Sequence, residues 1–143
     1  MKITSTDQQL LTVLRENARA STAEIARRLK LSRTTVQSRI ERLERQGVIG
    51  CYTVRVHDDA ERGHIRAHIM ITVLPKQMAS VVAALHAMPE VRALHSVSGP
   101  FDLVAMGVVP TVGEMDELTD RIGAIDGVER TTSSIILSAK FER

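Results

Sequence analysis

The chain has 143 residues, 43% of them hydrophobic and 25% charged, with a formal charge of +2 and a single cysteine. That size and apolar content suit one ordinary domain or two small ones and exclude a disordered chain. No apolar run approaches the ~20 residues of a membrane span, the opening Lys2, Thr4, Ser5, Thr6 and Asp7 lack the apolar core of a signal peptide, and Cys51 has no partner for a disulfide or zinc site, so the protein is expected off the membrane, in the cytoplasm.

The first predicted helix begins at a capping-box pattern, Thr6-Asp7-Gln8-Gln9, and carries Leu10, Leu11, Leu14 and Ala18 on one face. A second capping box, Ser21-Thr22-Ala23-Glu24, opens a helix with Ile25, Ala26 and Leu29 inward. After a short turn at Leu31, the favoured N-cap residue Ser32 starts a third helix whose stripe Val36, Ile40, Leu43 follows i, i+4, i+7. Gly47 is placed to close it in a left-handed conformation, and Val48-Ile49 resumes an extended pattern. Three helices and a ribbon, with Cys51 packed on it, predict a winged helix-turn-helix over residues 1–50 and a ribbon and linker over 51–63.

Burying that stripe turns Thr34, Gln37, Ser38, Glu41, Arg42 and Arg45 outward, at roughly 100° per residue. Arg33, Thr34, Gln37 and Ser38 are assigned to base edges or nearby phosphates, since Gln matches adenine and Arg matches guanine bidentately. Arg27, Arg28 and Arg42 are assigned to phosphates, onto which guanidinium groups fork. An amphipathic helix is also an ordinary solvated helix, but charge favours the first reading. Residues 1–50 hold ten Lys/Arg against five Asp/Glu, and residues 51–143 hold nine against twelve. A basic module joined to a mildly acidic one is the distribution of a nucleic-acid-binding protein. With Tyr52, Phe101 and Phe141 as the only aromatic residues, stacking on single strands is excluded and double-stranded DNA is the expected partner.

A polar stretch from Val54 to Gly63 is the predicted linker. Beyond it, residues 64–143 read as strand and helix in turn. Ala67, Ile69, Ile71 and Val73 alternate up to Pro75; Val81, Leu85 and Met88 make a helical stripe closed by Pro89. Strands follow at Val91 to Val97 and Asp102 to Val109, then a helix from Glu114 to Ile125 and a last strand from Val128 to Lys140. Val81, Leu85, Met88 and Val91 are echoed 37 residues later by Leu118, Ile122, Ile125 and Val128. The order βαββαβ with this echo predicts a ferredoxin-like sandwich, giving an α+β protein overall. Two helices cover one face of such a sheet; the apolar runs Leu103-Val104-Ala105-Met106 and Ile135-Ile136-Leu137 predict that a second copy covers the other.

The order of parts resembles the Lrp/AsnC (feast/famine) family over nearly the whole chain. The residues that carry it are Asp7, Leu10-Leu11, Asn17-Ala18-Arg19, Glu24-Ile25-Ala26, Leu31-Ser32, Val36, Arg39-Ile40, Leu43-Glu44, Gly47-Val48-Ile49, Pro89-Glu90-Val91, Ser98-Gly99-Pro100-Phe101-Asp102 and Gly127-Val128. The resemblance implies homodimers joined through the ferredoxin-like domains, assembly to octamers, and a small effector, commonly an amino acid, bound at subunit boundaries. The chain departs from the family pattern in its charged linker and at Pro100, where a polar residue is usual, so the effector's identity is not implied.

The effector site is placed in the loop Ser98 to Asp102. Gly99 permits a backbone that exposes amide donors to a carboxylate, Asp102 supplies a charge for an ammonium, and the hydroxyls of Thr132 and Ser134 line the wall. The same loop also suits a Gly-Pro hairpin with Asp102 as a turn acceptor. His57, His64, His68, His86 and His95 show no ligand spacing, so no metal or other cofactor is expected, and no nucleophile–base motif points to catalysis. The leading reading is an effector-responsive, sequence-specific transcriptional regulator. The alternatives are a nucleoid-like architectural protein with little effector control and a small ferredoxin-like catalyst with a DNA anchor.

Overall fold

A computed structural model describes residues 2–56 and 63–142. The backbone divides into two units, Met1–Arg55 and Val56–Arg143. The predicted linker residues His57 to Arg62 lie outside the described residues.

The first unit contains α1 (Ser5–Glu16), α2 (Thr22–Leu29) and α3 (Arg33–Arg45). Each begins where a hydroxyl satisfies an orphan amide: Thr4 accepts from Asp7, Ser21 from Glu24 and Ser32 from Thr35. The first cap lies two residues before the predicted Thr6, because the Asp7 carboxylate reaches back to the Thr4 amide at 2.9 Å and completes the box from there. Leu10, Val13, Ile25, Ala26, Val36 and Leu43 form the core, with Leu11, Leu14, Leu29 and Ile40 packed around it. Lys30 makes the turn into α3 in the left-handed region, φ 56°. Gly47 takes φ +69° after α3, where the amides of Val48 and Ile49 return to the Leu43 carbonyl.

The ribbon is not formed. Residues 48–56 adopt no strand, since these few residues find no second strand within their own unit to pair with. The segment is tied back instead by Tyr52, whose hydroxyl donates to Glu44 at 2.6 Å; that bond, with some burial, holds the phenol proton on up to about 12. Cys51 is exposed rather than packed.

The second unit is a four-stranded antiparallel sheet in the order β2-β3-β1-β4, built from β1 (Ile65–Val73), β2 (Val91–Ser96), β3 (Leu103–Val109) and β4 (Val128–Ile135), with α4 (Met78–His86) and α5 (Val112–Gly123) as its crossovers. Ala67, Ile69, Ile71 and Val73 meet Val81 and Leu85 of α4 and Met115, Leu118 and Ile122 of α5 in one core. The 37-residue echo recurs in that packing. Val81 and Leu118, like Leu85 and Ile122, are fully buried, and Met88, Ile125, Val91 and Val128 pack around them. The last strand is shorter than predicted: it ends at Ile135, next to the Ile136 amide that meets the Arg66 carbonyl near the start of β1, and Leu137 stands 93% exposed.

The second face of the sheet is open in a single chain. Register places Ala93, Met106, His68 and Ser134 in one row across it and His95, Val104, Met70 and Thr132 in the next. Among the described residues no helix is long and apolar enough to cross a membrane, and no group of His, Cys, Asp and Glu side chains stands close enough to hold a metal ion.

Candidate DNA-contacting face and effector loop

The stripe buried by α3 leaves Arg33, Thr34, Gln37, Ser38, Glu41 and Arg45 exposed, and Arg33, Thr34, Gln37, Ser38 and Glu41, with Thr22 of α2, line one shallow concavity. The Gln37 amide donates to Glu41 at 2.9 Å across one helical turn, so its orientation is set before any partner arrives. Arg27 and Arg28 are exposed on α2. Arg28 meets Glu16 at 2.6 Å, but both side chains are more than half exposed, and such a pair contributes only ~0–1 kcal/mol and exchanges readily for a phosphate.

Arg42 is placed differently from its sequence assignment. Its guanidinium meets Asp7 at 2.6 Å, and Arg39 meets the same carboxylate oxygen at 2.9 Å. Asp7 is fully buried. Burial by itself would push its carboxyl up, but the Thr4 amide and hydroxyl, Arg39 and the nearby Arg42 charge outweigh that and hold it at about 2. Arg42, with its side chain 36% exposed, thus has a partner inside the unit, which an outward helical angle alone does not reveal. Arg39 and Asp7 are the residues that the sequence reading of this face missed; the signal for them was the pairing of a helix-opening acid with basic residues 32 and 35 positions later.

In the second unit, Gly99 sits at φ +102° in the loop between β2 and β3. Asp102 closes that loop from three sides. Its amide donates to the Ile71 carbonyl at 3.0 Å, its carbonyl accepts from Val97 at 3.0 Å, and its Oδ2 accepts from the Val73 amide at 2.8 Å. The β1–β3 ladder ends at the Ile71–Leu103 pair, so beyond it the Asp102 carboxylate, not a β3 carbonyl, supplies the partner of the Val73 amide. One oxygen of Asp102 is therefore a brace, though to β1 and not within its own turn, and Oδ1 remains for another partner.

Arg130 of β4, opposite Thr72, holds its guanidinium carbon 5.9 Å from the centre of the Phe101 ring, a cation–π contact at the loop end of the sheet. The sequence reading named Phe101 within the loop motif but not Arg130. Thr132 pairs with Met70 and Ser134 with His68, both on the open face. Thr132 is the nearer of the two to the loop, and Ser134 is two residues, ~7 Å, further along the strand.

Comparison with known proteins extends this picture. Residues 3–44 match the AsnC-type helix-turn-helix domain and residues 66–143 match the Lrp/AsnC ligand binding domain. The chain is 35% identical to the HTH-type transcriptional regulator LrpA of Mycobacterium tuberculosis over 136 residues, 94% of this chain and 90% of that one. It is 30% identical to the HTH-type transcriptional regulator LysM of Saccharolobus solfataricus over 140 residues, 97% of this chain and 96% of that one. Among solved structures, a feast or famine regulatory protein from M. tuberculosis complexed with L-methionine has a TM-score of 0.90 at 33% identity, covering 99% of this chain and 96% of that one.

Proposed function

Since this chain belongs to the Lrp/AsnC family of transcriptional regulators, with a helix-turn-helix domain and a ligand-binding domain, we propose that it binds double-stranded DNA sequence-specifically through α3 and that a small effector, an amino acid, held by its second unit adjusts that binding. The observation that carries the DNA reading is the exposed polar face of α3. Arg33, Thr34, Gln37 and Ser38 point away from the core with a hydrogen-bond donor or acceptor at each tip, and they read base edges. Arg27 and Arg28 hold phosphates. The amino-acid reading rests on the L-methionine bound by the 33% identical structure and on the donors and acceptors gathered at the loop end of the sheet. Amides of Ser98 and Gly99 receive the effector carboxylate, Oδ1 of Asp102 its ammonium, and Thr132 and Ser134 line the wall. The open sheet face, with Met70, Val104 and Met106 across it, is covered by a second copy, which makes a homodimer the unit of action and an octamer its larger assembly. Such a protein works in the cytoplasm.

Competition binding at two salt concentrations tests the DNA assignments. Gln37→Ala or Ser38→Ala lowers preference for the selected site more than total affinity, each good base contact being worth ~1–3 kcal/mol. Arg27→Ala or Arg28→Ala weakens all duplexes alike and flattens the salt dependence by roughly one unit. Equal losses of specificity in both sets refute the division of roles.

The effector role of Asp102 separates cleanly from its bracing role. Asp102→Asn retains an oxygen for the Val73 amide, so the melting temperature stays near that of the wild type. It removes the charge, so binding of the amino acid that gives the largest thermal shift in a twenty-amino-acid screen falls by ~1.5–3 kcal/mol. Calorimetry giving equal affinities for the two proteins assigns Asp102 to the brace alone.

A further inference from the structure

The buried Asp7 draws together features that the DNA-contacting face leaves unexplained. Its carboxylate is fully buried at the start of α1, yet both of its cationic partners, Arg39 and Arg42, sit on α3, beside the residues assigned to DNA. Arg39 and Arg42 also line a second concavity with Thr34, Thr35 and Ser38, so their heads lie within the same surface that a duplex would cover. Their Nε atoms are buried without a partner among the described residues, while the terminal nitrogens meet Asp7. Asp7 is bound in turn by the amide and hydroxyl of Thr4, the residue that caps α1, so the carboxylate is clamped to one helix while it holds the other.

We propose that Asp7 is a positioning and charge-masking residue of the DNA-binding surface: it fixes the rotation of α3 about its axis and withholds Arg39 and Arg42 from DNA phosphates. The physical case is one of competition between anions. A guanidinium held at 2.6–2.9 Å by a buried carboxylate meets its partner with less screening than a surface phosphate contact, although Arg39 and Arg42 are themselves partly exposed. Withholding two cations per recognition helix keeps sequence-independent affinity low, because each phosphate neutralised contributes ~0.9 to the slope of log K against log salt on any duplex. Specificity is a difference between affinities, so lowering the non-specific one raises it. The inference rests on α3 being the helix that meets DNA.

The test measures binding of the full chain to a random-sequence 30-base-pair duplex across a salt series, by fluorescence anisotropy, with Asp7→Asn, Arg42→Gln and the wild type in parallel. Asp7→Asn keeps the shape but frees both guanidinium groups, so the salt slope steepens by roughly one to two units per engaged helix and affinity below 0.1 M salt rises several-fold. Arg42→Gln leaves the slope unchanged, since that charge is already spent. A purely structural Asp7 weakens binding and leaves the slope of the folded fraction alone. An unchanged or flatter slope for folded Asp7→Asn, or a slope flatter by about one unit for Arg42→Gln, overturns the proposal, and the Arg42→Gln result decides it alone if thermal melts show Asp7→Asn unfolded. Absence of duplex binding by the wild type at any salt instead removes the DNA reading itself.

Discussion

Replacing Asp7 with Ala lowers the stability of the helix-turn-helix unit by ~2–4 kcal/mol. Breaking a buried ion pair by removing one partner costs ~3–5 kcal/mol, and the partial exposure of Arg39 and Arg42, at 27% and 36%, places this case toward the lower part of that range. The same substitution deletes half of the capping box with Thr4, itself worth ~1 kcal/mol. A unit of about 50 residues has little stability in reserve, so the first transition in a thermal melt shifts by many degrees or merges with the baseline. The carboxyl titrates near 2 in the folded unit against an ordinary 3.8, so its ionised form favours the fold. That contribution is complete above about pH 5 and is lost as pH falls toward 2. Chemical denaturation of the wild type between pH 5 and 2.5 shows the loss, and Asp7→Asn, with no carboxyl to protonate, shows a shallower acid slope. Equal slopes would mean that Asp7 is not the group that titrates.

Gly127→Ala has a comparably large effect on the second unit, ~2–4 kcal/mol. Gly127 turns the chain from α5 into β4 at φ +99°, a region closed to residues with a side chain at a cost of ~1–3 kcal/mol. A methyl group there would also lie 2.6 Å from Cβ of Gln77 and closer still to its amide oxygen. Gln77 cannot simply swing away, because its Cβ moves only with its backbone, which the Leu74–Gly127 hydrogen bond at 2.8 Å holds against this turn. Overpacking adds ~1–3 kcal/mol. Differential scanning calorimetry should show the transition of the sheet unit lowered while that of the helical unit is unmoved; an unchanged upper transition contradicts the close packing of this turn.

Both substitutions illustrate what was legible in the sequence. The Gly47 helix end, the caps at Ser21 and Ser32 and the 37-residue echo were legible because each is a local rule: a hydroxyl three residues from an amide, a glycine after a helix, a stripe of period 3.6. The α3 face followed from the same periodicity. What was not legible depended on partners distant in sequence. Arg42 lies on the outward side of α3 by angle alone, yet a buried acid 35 residues earlier draws it inward. Residues 51–56 have strand composition, but a strand exists only through its neighbour, and none is present in the unit. Asp102 was readable as a functional or a turn residue, and its contact with Val73, 29 positions away, was beyond local reading. Arg130 and Phe101 meet only because β4 pairs beside β1 at the loop end.

The measurement that tests the central claim most directly is selection from a random pool of duplexes by the full chain, with and without the twenty amino acids, followed by sequencing of the bound fraction. A regulator that reads DNA through α3 enriches a two-fold symmetric motif whose half-sites lie about one helical turn apart, ~34–36 Å, or a multiple of it, and an amino acid alters the degree of enrichment. Gln37→Ala flattens individual positions of that motif. A bound fraction with no enriched sequence, identical for the wild type and Gln37→Ala and indifferent to every amino acid, contradicts both the reading role of α3 and the effector role of the second unit.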